Sequence, residues 1–241
     1  MGPVFGLSLR QITGVRRLLI VLLLVLLPVA LTVLLRLTAS DGDGDPGDFV
    51  NAIVNALIVG VVLPIVMISF STTVFGNDLE DRTLSFIIMT PAARWKIALS
   101  KLAAPVLIGA PLVVVSAAVT IYVGMDGDVT TVAAVCAGTI VGAAAYAAVF
   151  TWAGLITTRA LAFAIVYVFL WEGVISALVP GVKYLSVSAY ALSVMYGLSD
   201  SALEAVAEQT IDMPVALIGA ALVAVAFWLL TVWRLRTMDV P

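Results

Sequence analysis

Six stretches of this 241-residue chain run for about 18 residues or more with almost no charge, and nothing constrains its fold more. A helix crossing a hydrocarbon core about 30 Å thick needs about 20 mostly apolar residues. In lipid, only a helix or a closed barrel satisfies its own backbone. The runs predict spans over residues 18–36, 50–75, 102–123, 131–157, 160–180 and 213–233. Glu172 is the one acid inside them. Composition agrees: 63% of residues are hydrophobic and 11% charged, against roughly 25% charged in a soluble domain. The mean hydropathy is +1.18. The reading is an all-α integral membrane fold, a single transmembrane domain over residues 1–241. The first run is longer than a secretory signal core of roughly 7–15 residues, and no small-residue cleavage pattern follows before Ser40, so it is expected to stay as a span.

Cytoplasmic segments collect Lys and Arg, which orients the spans. With the N-terminus inside, Arg10, Arg16, Arg17, Arg82, Arg94, Lys96, Lys101, Arg159, Arg234 and Arg236 are cytoplasmic, 10 of the 12 basic residues. Only Arg36 and Lys183 fall outside, among acids that include Asp41, Asp126, Asp128, Asp200 and Asp212. Both termini are therefore expected in the cytoplasm. Residues Val4 to Val15, apolar and followed by Arg16 and Arg17, suit an interfacial elbow helix on the inner leaflet, with a disordered tail as the other reading.

Several function classes drop out. The chain has no histidine, which removes serine- and zinc-type intramembrane proteolysis, and it has no pair of intramembrane aspartates. No catalytic or metal-binding constellation is present, and no enzyme is expected. Cys136 is the single cysteine, so no internal disulfide can form. No basic tract interleaved with aromatics suggests nucleic acid. Asp41, Asp43 and Asp45 resemble the start of a calcium loop, but Pro46 and Ala52 stand where Gly and Glu are required, so a flexible acidic turn is expected.

Within the spans, Ala134, Gly138 and Gly142 recur every four residues, a spacing that lets helices approach closely in lipid, inside one subunit or between two. Glu172 lies roughly 20 Å along its helix from Arg159 at about 1.5 Å per residue. A carboxylate at that depth faces a cavity or a partner. It is a candidate for the substrate path or a proton site, and equally for a helix-packing bond. Asn51 and Asn55 share a helix face near the outer end of span two, where they either line the path or bond a neighbour. The outer stretch 184–198, apolar and rich in Ser and Tyr, reads as a re-entrant segment or an ordinary outer loop.

The loop between spans two and three carries the most information. Asp78, Glu80 and Asp81 precede an apolar stretch, and Pro91 follows. Acids suit the positive start of a helix, and Pro91 stops it. Leu79, Thr83, Phe86, Ile87 and Thr90 fall on one mostly apolar face. This predicts a short cytoplasmic amphipathic helix before a second helix carrying Arg94, Lys96 and Lys101 into span three.

The run from Leu79 to Lys101, LEDRTLSFIIMTPAARWKIALSK, resembles the signature of the type-2 permeases of ATP-binding-cassette (ABC) transporters. Glu80, Thr83, Leu84, Pro91, Arg94 and Lys101 match its positions, while Arg82 stands where Gly is frequent. The resemblance implies that the short helix is a coupling helix seated in a separate ATPase subunit. The interface would then comprise Glu80, Asp81, Arg82, Thr83, Leu84, Phe86, Ile87, Pro91 and Arg94. It further implies two permeases, taken as a homodimer, two ATPases carrying ATP and magnesium, and export of a hydrophobic or amphipathic substrate across a bacterial inner membrane. No cofactor is expected in this chain, which has no G-x-x-x-x-G-K-[ST] phosphate loop. The alternative is a proton-coupled secondary transporter using Glu172, although no internal repeat is visible.

Overall fold

The computed structural model describes residue 6 and residues 14–38, 46–80, 93–157, 159–176, 180–200 and 202–238. Among these residues no strand occurs, as the apolar runs predict. Helix α1 spans Val15–Thr38. Helix α2 begins as the turn Pro46–Phe49, continues as a π-helical stretch Val50–Val62 and ends as the α-helix Leu63–Glu80. Helices α3 (Arg94–Gly124) and α4 (Val129–Ile156) follow. Helix α5 is α-helical over Ala160–Val166 and π-helical over Tyr167–Ile175. A 3-10 turn Pro180–Leu185 leads into α6 (Val187–Leu198), and a second one, Glu204–Gln209, precedes α7 (Met213–Thr237).

Among the described residues five helices, α1, α2, α3, α4 and α7, are long and apolar enough to cross a bilayer. The expected fifth span is the shorter α5, whose described apolar helix covers Ala160–Ile175. Several starts follow from local chemistry. Asp128 caps α4, its carboxylate accepting from the Thr130 amide at 3.0 Å. Pro214 lies in the first turn of α7, where a missing N–H costs nothing.

Helix α4 is the hub, packing against α2, α3, α5, α6 and α7. Its small residues make that possible. A Cβ on Gly138 would stand 2.4 Å from the Ala191 carbonyl oxygen of α6, and one on Gly154 would stand 2.5 Å from that of Thr72 on α2. The 134–142 stripe therefore serves close packing inside the subunit, the first of its two readings.

The two ends of the bundle differ. At the basic end, Phe75, Ile97, Ala98, Leu155, Val232 and Leu235 join α2, α3, α4 and α7 in one cluster, and Arg17 donates to the Thr73 hydroxyl at 2.9 Å. At the acidic end, Val50, Ile53, Ile121, Val135, Leu192 and Val206 form another. There Arg36 bridges α1 to the α3–α4 turn, binding the Asp126 carboxylate at 2.6 Å and the Gly124 carbonyl at 2.8 Å. The hydrogen bond from Arg36, helped by its charge, holds the Asp126 carboxyl below the usual range. The cation expected on the outer side is thus paired with an outer acid. Leucines of α1 and α7, among them Leu19, Leu23, Leu222 and Leu229, are exposed. Trp95 and Trp233 are exposed at the basic end and Tyr122 and Tyr184 at the acidic end, as aromatics are at the two interfaces of a bilayer.

Candidate functional site

Of the loop residues implicated in partner binding, Asp81, Arg82, Thr83, Leu84, Phe86, Ile87 and Pro91 lie outside the described residues, as does the side chain of Glu80. So do most of the elbow segment and the acidic turn 41–45. What is described is the base on which the loop stands. Glu80 is the last residue of α2 and Arg94 the first of α3. Between these two legs, Lys101 reaches from α3 to α2 and forms an ion pair with Asp78. The lysine side chain is 0% exposed and the aspartate 1%. Its ammonium also donates to the Val74 carbonyl at 2.5 Å and lies 4.8 Å from the centre of the Phe75 ring. Sequence reasoning put Lys101 at the head of span three and Asp78 at the start of the loop, but did not pair them. An acid and a lysine flanking one short loop, each bordering an apolar run, was the available signal.

Glu172 has a specific task. Its carboxylate stands at the N-terminus of α6 and accepts from the Val187 amide at 2.9 Å, the Ser188 amide at 3.1 Å and the hydroxyls of Ser186 at 2.6 Å and Ser188 at 2.5 Å. The Tyr167 hydroxyl, five residues back on the same π-helical stretch, reaches it at 3.4 Å. A carboxylate here answers orphan amides and the positive end of the helix together. Ser186 completes the cap, its oxygen accepting from the Ala189 amide at 3.3 Å. The outer stretch 184–198 is therefore mostly a buried helix, with Val187 and Ala189 to Met195 packed against α4 and α7.

Asn51 and Asn55 lie on the π-helical stretch of α2 and bond to each other, Asn55 donating to the Asn51 amide oxygen at 2.9 Å. Asn51 is exposed and Asn55 half-buried, so they do not converge with Glu172 in one described site. The acidic end also holds a polar cleft of about 370 Å³ between α6 and α7, lined in part by Lys183, Tyr196, Thr210 and Asp212. In it Lys183 donates to the Thr210 carbonyl at 3.2 Å.

Apolar crossing helices, a lipid-facing leucine surface and aromatic residues at both ends define a multi-pass membrane protein. Residues 15–188 match the model of the ABC-2 family transporter protein family, and the chain belongs to that family. The match takes in both helices that flank residues 81–92 and ends within α6. Members of the family work with ABC ATPase partners. None of the curated proteins matches the chain.

Proposed function

We infer that this chain is the permease subunit of an ATP-driven exporter, carrying a hydrophobic or amphipathic substrate out of a bacterial cell through the inner membrane. The match of residues 15–188 to the ABC-2 family carries the reading. In the working assembly two copies pair with two ATPase subunits, which bind ATP and magnesium and hydrolyse the nucleotide. This chain contributes no catalytic residue. The coupling segment is residues 78–94: Glu80 and Asp81 meet backbone donors or basic partner residues, Phe86 and Ile87 fill an apolar cleft, and Pro91 and Arg94 set the angle into α3.

Six crossings with both termini cytoplasmic follow from the same reading. Leu155, near the end of α4, sits in the basic-end cluster, whereas Met213 starts α7 beside Gly197 at the other end. These placements support a crossing between them, which α5, lying along Ile65 and Ile68 of α2, would supply. On this reading α6 re-enters the bundle from the outer side. The proton-driven alternative is the weaker one, because the donors around Glu172 already give that carboxylate a structural task. Asn51 and Asn55 remain the substrate-path residues of choice, being polar, Asn51 exposed and Asn55 half-buried in the single subunit.

The test is co-purification with the ABC ATPase encoded beside the chain, followed by assembly assays of Phe86→Ala and Glu80→Arg. A buried interface aromatic commonly carries about 2 kcal/mol or more, so Phe86→Ala is expected to weaken assembly by at least about tenfold. An unchanged complex in both variants would remove the coupling segment from the reading.

A further inference from the structure

Resting on the reading as an ATP-driven permease, we propose that the buried Asp78–Lys101 ion pair is a register pin that makes α2 and α3 move as one lever when the loop between them is loaded. Three observations point to it. The pair bridges the two helices on the loop side of the bundle, beside the apolar contact of Leu79 and Phe75 with Ile97 and Ala98, so load entering through the loop passes it. Both charges are out of water, and a buried ion pair is a poor way to gain stability, since an apolar pair of similar volume often does as well or better. Its known use is to fix one arrangement of helices against its neighbours. Finally, Pro105 has no N–H to bond the Lys101 carbonyl one turn earlier. The ladder of α3 thus lacks a rung at the level of the pin, where the helix would otherwise bend on its own. The Lys101 contacts to the Val74 carbonyl and the Phe75 ring tie the same point to the cluster joining α2, α3, α4 and α7. Asp78 and Lys101 act here as positioning residues, remote from any substrate.

The experiment uses the complex with its ATPase in lipid nanodiscs, with Cys136 replaced by alanine. Nitroxide pairs are placed at Asp48 and Tyr122, the outer ends of α2 and α3, and at Asp48 and Val215, the outer ends of α2 and α7. In the otherwise native chain, ATP with vanadate is expected to shift the Asp48–Val215 distance and leave the Asp48–Tyr122 distance unchanged. A nucleotide-driven change between Asp48 and Tyr122, or no shift in either pair, overturns the lever, and that arm needs no change at the ion pair. In Lys101→Met, which lies outside the coupling segment, the Asp48–Tyr122 distribution broadens and the Asp48–Val215 shift is lost, and Asp78→Leu/Lys101→Met does the same. A double variant that shifts as the native chain does, with Asp48–Tyr122 unmoved, also overturns the pin. Failure of the native chain to retain any ABC ATPase would instead overturn the permease reading.

Discussion

The basic end and the middle of this bundle bury a carboxylate in different ways. At the basic end Asp78 meets a full positive charge, Lys101, and both are sealed from solvent. In the middle of the bundle, at the level of Tyr146 and Phe150, Glu172 meets backbone amides and hydroxyls, and it stays half-buried. An ion pair binds two side chains to one geometry and leaves an exposed penalty if either is lost. A helix cap shares its load among several neutral donors, so each loss is smaller. The first arrangement suits an element that must transmit force. The second suits one that must be held in place.

Breaking the ion pair on one side should give the largest effect. Lys101→Met takes the opposite charge from the buried Asp78 and is expected to destabilise the chain by about 3–5 kcal/mol, whereas Asp78→Leu/Lys101→Met recovers most of that. Thermal unfolding in detergent compares the two, and equal loss in both would remove the distinction between pairing and packing. Next comes the seat of α6. Gly138→Val drives carbon into the Ala191 carbonyl and should cost about 1–3 kcal/mol. Hydrogen exchange should accelerate in 187–198 while α3 is unaffected. A smaller change is expected for Glu172→Gln, which keeps one acceptor and loses the charge, at about 1–2 kcal/mol. The Val187 and Ser188 amides should exchange faster, and more so in Glu172→Ala. Wild-type exchange in both would leave the cap without weight.

The smallest effect concerns the exposed Arg36–Asp126 pair. Asp126 is held below its unfolded value of about 3.9, so its contribution is present above that pH and is lost as pH falls through the lower folded value. Asp126→Asn should abolish this dependence, read as unfolding midpoints from pH 6 downward. The change should shrink in high salt, because both side chains are solvent-exposed.

Much of the fold was legible because run length is a direct physical requirement of the bilayer. The windows at 18–36, 50–75, 102–123, 131–157 and 213–233 each overlap one of the five helices long and apolar enough to cross a bilayer, the fourth running one residue past Ile156. The shortness of α5 was not legible, and the burial of α6 was legible only as one of two readings, a re-entrant segment or an ordinary outer loop. A 12-residue helix is too short for a crossing signal, and its burial comes from Gly138 and Gly142, some 50 residues earlier. Depth alone made Glu172 a candidate for function. Its actual partners, Ser186 to Ser188, follow after the chain has turned back, and no periodicity links them to position 172. The Asp78–Lys101 pair escaped for a similar reason: its members are 23 residues apart on two helices. The family resemblance, by contrast, was readable in one short run, because Glu80, Thr83, Pro91 and Lys101 carry it in order.

The central claim is that the end carrying the ion pair faces the cytoplasm and receives an ATPase through residues 78–94. A photo-crosslinking amino acid at position 86, with a second variant carrying it at position 126, tests this in intact cells. Mass spectrometry of the adducts identifies what each position touches. The account predicts an ABC ATPase joined at position 86 and none at 126. An adduct with the ATPase at 126 alone, or labelling of a cysteine at position 86 by a membrane-impermeant reagent added outside, would contradict it.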